Sequence, residues 1–253
     1  SSDLNEKFNL IIQLSIPSIL SQVTTVLMFY IDAGMVGSLG AEPSAAIGLV
    51  EPATWLIFSL VSAVTMGFSV QVSHFIGAND FPKARAVMRH GYVFGLCFSL
   101  LMLLIAFLIG PRLPIWLGGG TDIQHDAMVY FLIFSCITPF HLIEYMSVAM
   151  LKVAGDMRRP SMMAILMCVL DVIFNYFLIF PTRTISLFGI ELTMPGFGAG
   201  VAGAALGSLL AFVCVALPLA YYAIFRSPIL AWKQDIERFS WRWQYIWNAL
   251  KIS

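Results

Sequence analysis

Residues 90–111 read HGYVFGLCFSLLMLLIAFLIGP, a run of 22 residues without Lys, Arg, Asp or Glu. A helix needs roughly 20 apolar residues to cross the hydrocarbon core of a bilayer, so this run is long enough to span it. Of the 253 residues, 59% are hydrophobic and 11% are charged, and the mean hydropathy is +0.86. Soluble domains carry about 25% charged residues. The composition predicts an integral membrane protein and excludes a soluble enzyme, a disordered chain and a nucleic-acid binder, which needs a basic face.

Charged residues divide the chain into six apolar runs of helical length. Because the bilayer core admits only segments that satisfy their own backbone hydrogen bonds, each run predicts one spanning helix. The predicted fold class is therefore an all-α integral membrane protein with a bundle of six transmembrane helices. The first run lacks a basic leader and is too long for a cleavable signal peptide, so we expect it to be a span. The predicted spans lie near residues 10–34, 50–76, 90–110, 127–150, 160–181 and 199–225.

Lys and Arg are unevenly distributed over the loops between these spans. The loops at 77–89, 152–159 and 226–242, together with the two termini, contain 12 of the 14 Lys and Arg residues. The opposite loops contain only Arg112 and Arg183. Cytoplasmic loops are enriched in Lys and Arg. We therefore expect a multi-pass protein of the bacterial plasma membrane, with its N-terminus in the cytoplasm.

The end of the chain resembles its beginning. Ile246–Ser253 (IWNALKIS) is similar to Leu10–Pro17 (LIIQLSIP), and both are short entries into an apolar span from the cytoplasmic side. Many secondary transporters are built from two repeated halves. We therefore interpret residues 1–225 as one six-helix lobe and residues 226–253 as a cytoplasmic linker and the start of a second lobe. The alternative is coincidence between two interfacial helix starts.

Four polar residues are expected to meet in the outer half of the bundle. Asp32 lies near the outer end of the first span, and Asp171 and Asn175 lie four residues apart on one face of the fifth. Ser208 reaches a similar depth on the sixth. A charge at the membrane centre costs about 2.5–3.5 kcal/mol on insertion scales, so acids there are candidates for function. Oxygen ligands suit a proton or Na⁺. We predict a cation-coupling site, with Asp32, Asp171 and Asn175 as the ligands if the ion is Na⁺; structural hydrogen bonding is the alternative.

Four further residues are candidates for substrate binding or gating. Glu51 precedes Pro52 at the expected outer start of the second span, where a wetted position would also explain it. His141 and Glu144 are three residues apart on the fourth span and could pair, act as a gate or bind a cationic substrate. A neutral packing pair is the alternative. Pro17 lies inside the first span and can kink it, as part of a moving gate or simply as a tolerated proline.

A glycine motif near the sixth span needs a structural interpretation. Residues 198–203 (GAGVAG) match the dinucleotide-binding pattern, but no strand–helix–strand context surrounds them and no acid follows about 20 residues on. The same region contains Gly203 and Gly207, which are spaced for close helix packing. We predict packing and not nucleotide binding.

The ordered motifs of the chain resemble those of the multidrug and toxic-compound extrusion (MATE) transporters. The first-helix signature is matched by residues 31–40 (IDAGMVGSLG), and four further motifs follow in family order along nearly the whole chain. Each motif alone is weak, whereas the ordered set is strong. These motifs are residues 76–80 (IGAND), 154–160 (AGDMRRP), 175–180 (NYFLIF) and 200–205 (GVAGAA).

The resemblance implies the N-terminal lobe of a two-lobed, twelve-helix transporter that exports cationic or amphipathic compounds in exchange for H⁺ or Na⁺ by alternating access. The family's first-helix acid falls on Asp32, its fifth-helix polar pair on Asp171 and Asn175, and its sixth-helix hydroxyl on Ser208. The order of the fifth-helix pair is reversed in some members, which leaves the identity of the ion open. The expected partners are the lipid bilayer, small organic cations and the second lobe, with no cofactor and no nucleic acid.

Two functions other than export have less support in the sequence. A lipid-linked oligosaccharide flippase of the same superfamily would need cationic side chains in its cleft, and no Lys or Arg lies within a predicted span. A membrane-embedded enzyme would use His74, His141 and Glu144, but these residues lack the spacing of a metal site or a nucleophile. We therefore expect a transporter and not an enzyme.

Overall fold

The computed structural model describes residues 2–187, 190–234 and 240–252. Ser253 and residues 235–239, which include Arg238 of the predicted linker, lie outside the described residues. A π-helical turn, Tyr222–Arg226, follows α8, and a 3₁₀ turn covers Trp232–Gln234. The helices are α1 (Ser2–Gly37), α2 (Ala41–Gly77), α3 (Phe81–Ile109), α4 (Leu113–Trp116), α5 (Gln124–Ser135), α6 (Thr138–Val153), α7 (Arg158–Ile179), α8 (Gly200–Tyr221) and α9 (Trp243–Ile252), and the strands are β1 (Pro181–Leu187) and β2 (Ile190–Phe197).

The long helices have the length and hydropathy of membrane spans. Among the described residues, α1, α2, α3, α7 and α8 each qualify singly, and α5 and α6 qualify together as a bent pair. This arrangement confirms the predicted all-α membrane fold. Helices α1, α2 and α3 begin before the expected spans, at Ser2, Ala41 and Phe81 and not near residues 10, 50 and 90. Pro43 falls in the first turn of α2, where proline is tolerated, so it does not prevent the helix from starting at Ala41. Pro52 therefore lies inside the helix, and so does Glu51.

The fourth span is broken, whereas one continuous helix over 127–150 was predicted. The axes of α5 and α6 differ by 42° across residues 136–137. Pro139 in the first turn of α6 lacks the N–H that would continue the helical ladder. The chain tightens there instead, with N–H groups of Cys136 and Ile137 bonding carbonyls three residues back, on Ile133 and Phe134.

A β-hairpin occupies the connection between α7 and α8, which the sequence had suggested only as a loop. β1 and β2 pair antiparallel, with Arg183 opposite Met194 and Thr184 opposite Thr193. The Arg183 guanidinium lies 4.2 Å from the ring centroid of Phe180, so the hairpin is tied to the end of α7.

The largest core cluster lies at the end of the bundle that carries most Lys and Arg, here called the basic end. There Asp80 caps α3, and a hydrogen bond from Lys83 lowers the pKa of its carboxyl. Residues that follow α8 also belong to this cluster, because Leu230, Ile246 and Ala249 are almost completely buried. The cluster includes Val64, Phe68, Val72, Met88, Tyr92, Met146, Met150, Leu219, Leu230, Ile246 and Ala249.

Candidate functional site

Helices α1 and α7 are joined by a hydrogen-bonded group of polar side chains. The Asn175 Nδ2 donates to Oδ1 of Asp32 at 2.9 Å and to Oδ2 of Asp171 at 3.1 Å. Asp171 and Asn175 are each only 1% exposed, and Asp32 is half-buried. The two carboxyl groups are also close enough to interact electrostatically. The structure therefore brings together the acids of the predicted site, with the amide between them.

The helix geometry explains how these groups meet. Asp171 and Asn175 are one turn apart on α7 and project from the same face. The Ser208 side chain of α8 is close enough to the Asp171 carboxyl to interact with it. All four predicted site residues are thus neighbours.

A glycine of α8 makes room for the Asn175 side chain. A Cβ added at Gly207 would overlap Oδ1 of Asn175, so no other residue fits there without moving the amide. One turn earlier, a Cβ on Gly203 would overlap the carbonyl of Leu178. These two glycines let α8 pack closely against α7, as their spacing predicted. The consequence for the polar site was not visible in the sequence.

The Asn175 amide is only partly satisfied. Its Nδ2 donates twice, whereas its buried Oδ1 has no hydrogen-bond partner among the described residues. A buried carbonyl oxygen without a partner is unusual and can serve as a cation ligand. In the described part of the chain, no group of three His, Cys, Asp or Glu is placed to hold a metal ion. A Na⁺ ion would therefore rely on the oxygens of Asp32, Asp171, Asn175 and Ser208.

Glu51 of α2 is exposed and is linked to this site through neighbouring aromatic side chains. Its Oε1 accepts a hydrogen bond from Nε1 of Trp55 at 3.2 Å, and the Trp55 ring lies 5.3 Å from that of Phe29, one turn before Asp32. Tyr130 of α5 is close enough to interact electrostatically with Glu51, Asp32 and Asp171. Tyr130 was not singled out from the sequence, because an aromatic residue in an apolar span carries no distinguishing pattern.

His141 does not pair with Glu144. Instead its Nε2 lies 3.3 Å from the Ser62 hydroxyl, and its ring stacks on Phe58 with centroids 4.3 Å apart. In the described structure, no hydrogen bond or ion pair joins it to Glu144. The pairing of His141 with Glu144, which the sequence left open, is therefore not formed, and His141 is held by α2 through stacking.

The two histidines of the alternative enzyme site do not come together. His74 is exposed near the end of α2, 12 residues after Ser62, which corresponds to about 18 Å along the helix. Since Ser62 contacts His141, the two histidines lie far apart.

Pro17 lies inside α1, as the sequence predicted. The Ser161 hydroxyl of α7 lies 2.9 Å from the carbonyl of Pro17 and 2.8 Å from the carbonyl of Met157, so its single proton is shared between the two oxygens. Helix α1 is therefore held to α7 at two levels, at Pro17 and at Asp32.

A bundle of membrane-length helices with carboxyl and amide groups between its spans is typical of membrane proteins that move ions or solutes. The MatE family model matches residues 17–177. The chain belongs to this family, the MATE transporters, which confirms the resemblance drawn from its motifs.

Named relatives agree with this membership. A FAD transporter of Shewanella oneidensis is 26% identical over 175 residues, which are 67% of this chain and 38% of the relative. A probable multidrug resistance protein NorM of Oceanobacillus iheyensis is 22% identical over 80% of this chain and 44% of the relative. An outward-facing multidrug resistance MATE transporter of the MOP superfamily superposes with a TM-score of 0.81 at 23% identity, over 95% of this chain and 50% of that one. The chain thus spans half or less of these relatives.

Proposed function

We propose that this chain is the N-terminal lobe of a cation-coupled efflux antiporter that exports organic cations or amphipathic compounds in exchange for H⁺ or Na⁺. The observation that carries the proposal is the amide bridge of Asn175 between the half-buried carboxyl group of Asp32 and the buried carboxyl group of Asp171. The relatives named as multidrug resistance proteins support an organic substrate.

The bridge suggests how a cation is exchanged. Two neighbouring buried carboxylates repel each other when both are ionised, so a positive charge between them is stabilising. In the cation-free lobe, the N–H groups of Asn175 supply a partial positive charge at that place. An incoming H⁺ or Na⁺ replaces this interaction, and Oδ1 of the same side chain, which faces Gly207, becomes an additional ligand for Na⁺ when the amide turns over.

Antiport follows when the cation and the substrate favour different states of the lobe. Cation binding neutralises Asp32 and Asp171, which removes the negative charge that attracts a cationic substrate. It also changes the bond that holds the outer part of α1 to α7. Because each ligand weakens the binding of the other, a gradient of one drives movement of the other.

The expected setting is a bacterial inner membrane with the basic end in the cytoplasm, as the distribution of Lys and Arg indicates. The substrate then leaves through a cleft between this lobe and the second one.

The proposal is tested with the full-length transporter in liposomes. Accumulation of a fluorescent organic cation is measured under an imposed pH gradient or Na⁺ gradient. Asp32→Asn should abolish gradient-driven transport, whereas Glu42→Gln, which changes an exposed acid in the first turn of α2, should leave it intact. FAD serves as a second probe because one relative is named a FAD transporter. Equal transport by both variants would overturn the proposal.

A further inference from the structure

The segment that follows α8 is docked on the basic end of the bundle. This segment, here called the strap, consists of the described residues 227–234 and 240–252. Leu230 and Ile246 are 0% and 2% exposed, and both belong to the main core cluster together with α2 and α3. The strap thus contributes to the hydrophobic core of the lobe and does not merely lie on its surface.

Side chains of α2 and α3 hold the strap through its main chain. The Arg85 guanidinium donates to the carbonyl of Ile229 at 2.8 Å, and that of Arg89 donates to the carbonyl of Trp232 at 2.9 Å. Gln71 of α2 makes the corresponding bond to the strap further along. Its Nε2 lies 2.8 Å from the carbonyl oxygen of Tyr245.

His90 adds a fourth bond of opposite polarity. Its Nε2 accepts the backbone N–H of Arg242 at 2.9 Å, and its Nδ1 lies 2.7 Å from the carbonyl oxygen of Ala86. Nδ1 must therefore carry the proton and Nε2 must be unprotonated. His90 is 1% exposed, and its ring packs beside those of Trp241 and Tyr245.

These contacts distinguish the strap from an ordinary flexible linker. Hydrogen bonds to main-chain atoms fix the path of the strap's backbone and do not depend on its side chains. If the strap undocked, the side chains of α2 and α3 that bond it would lose these hydrogen bonds. Arg85 is only 7% exposed, so undocking would remove a bond from a largely buried cation.

We propose that the strap is a permanent part of the first lobe and stays docked throughout the transport cycle. This inference rests on the proposed function in assuming that two lobes move. Under this inference the helix Trp243–Ile252 moves with the first lobe, although the sequence of this helix suggested the start of the second lobe.

The inference is tested by double electron–electron resonance on the full-length transporter. One spin label replaces Trp243, which is 70% exposed, and the other replaces Leu108, which is 71% exposed. Leu108 lies 18 residues beyond His90 on α3, so the expected separation is about 27 Å. The distance should be the same with and without the coupling cation, while a label pair across the two lobes changes. A shift of the Trp243–Leu108 distance together with the inter-lobe distance would overturn the inference.

Substitutions of His90 test the docking without relying on transport. His90→Leu removes the acceptor for Arg242 and should broaden the distance distribution, whereas the side-chain oxygen of His90→Gln can accept that bond and should keep it narrow. His74→Leu, at an exposed histidine of α2, is the matched control. An unchanged distribution in His90→Leu would contradict the role of His90 in holding the strap. If the inter-lobe pair does not respond to any cation, the proposed function fails, and the His90 variants still decide whether the strap is held.

Discussion

Replacing Gly207 by alanine should disturb the polar site from outside it. The added methyl group would overlap Oδ1 of Asn175, which must turn away from its present position. The amide then loses one or both of its bonds to Asp32 and Asp171. A hydrogen bond to a charged group contributes about 1.5–3 kcal/mol, and 1.4 kcal/mol corresponds to a tenfold change in an equilibrium constant. The expected shift in cation affinity is therefore about 10- to 150-fold.

The direction of this shift depends on the ion. A proton needs no ligand from Asn175 and replaces its N–H groups, so losing the amide should make the site bind H⁺ more tightly. Na⁺ would lose Oδ1 as a ligand and should bind more weakly. In both cases cation-driven exchange slows, because one of the two states of the site becomes too stable. If H⁺ drives transport in liposomes, the variant should therefore bind the cation more tightly, and if Na⁺ drives it, the variant should bind the cation more weakly.

The assay is gradient-driven efflux by the full-length transporter, with the half-saturating concentration of the cation as the measured quantity. Gly48→Ala is the first control, because a Cβ at Gly48 meets nothing within 4 Å. Gly203→Ala is the second, since its methyl group would press on the backbone of α7 at Leu178 without touching Asn175. If Gly207→Ala behaves like Gly48→Ala, or if Gly203→Ala shifts the cation affinity equally, the account of the Asn175 position is refuted.

Three other substitutions have defined outcomes. Asn175→Leu removes the bridge and should slow cation-driven exchange at least about tenfold while the purified protein remains folded, as judged by size-exclusion chromatography. His141→Phe keeps the stacking on Phe58 and should lower thermal stability in detergent by no more than about 1 kcal/mol, whereas His141→Ala should cost about 2 kcal/mol or more, since it also leaves a cavity. Equal melting temperatures for the two His141 variants would contradict the packing role.

The six spans could be predicted because they depend on long apolar runs and on charges between them. The Asp171–Asn175 pair was predictable for a similar reason, since residues four apart share a helix face. Predicting that this pair meets Asp32 required the assumption that the three residues lie at the same level of the bundle. They do meet, because α1 and α7 run side by side and are bonded at both Pro17 and Asp32.

Other features depend on contacts that a single sequence does not display. The break between α5 and α6 had a local signal in Pro139, but a proline in a membrane helix is often tolerated without a break. Gly207 matched a packing motif, and only the position of Asn175 gives it a role at the polar site. The strap was least predictable, because Gln71 and His90 recognise main-chain atoms, which every residue has.

The link between the cation and the substrate is tested most directly by equilibrium binding to the full-length transporter. The dissociation constant of a fluorescent organic cation is measured over a range of coupling-cation concentrations, and the cation affinity is measured with and without the substrate. The account predicts that each ligand weakens the other by the same factor, and that Asp171→Asn abolishes this effect. Substrate affinity that does not depend on either H⁺ or Na⁺ would contradict the account.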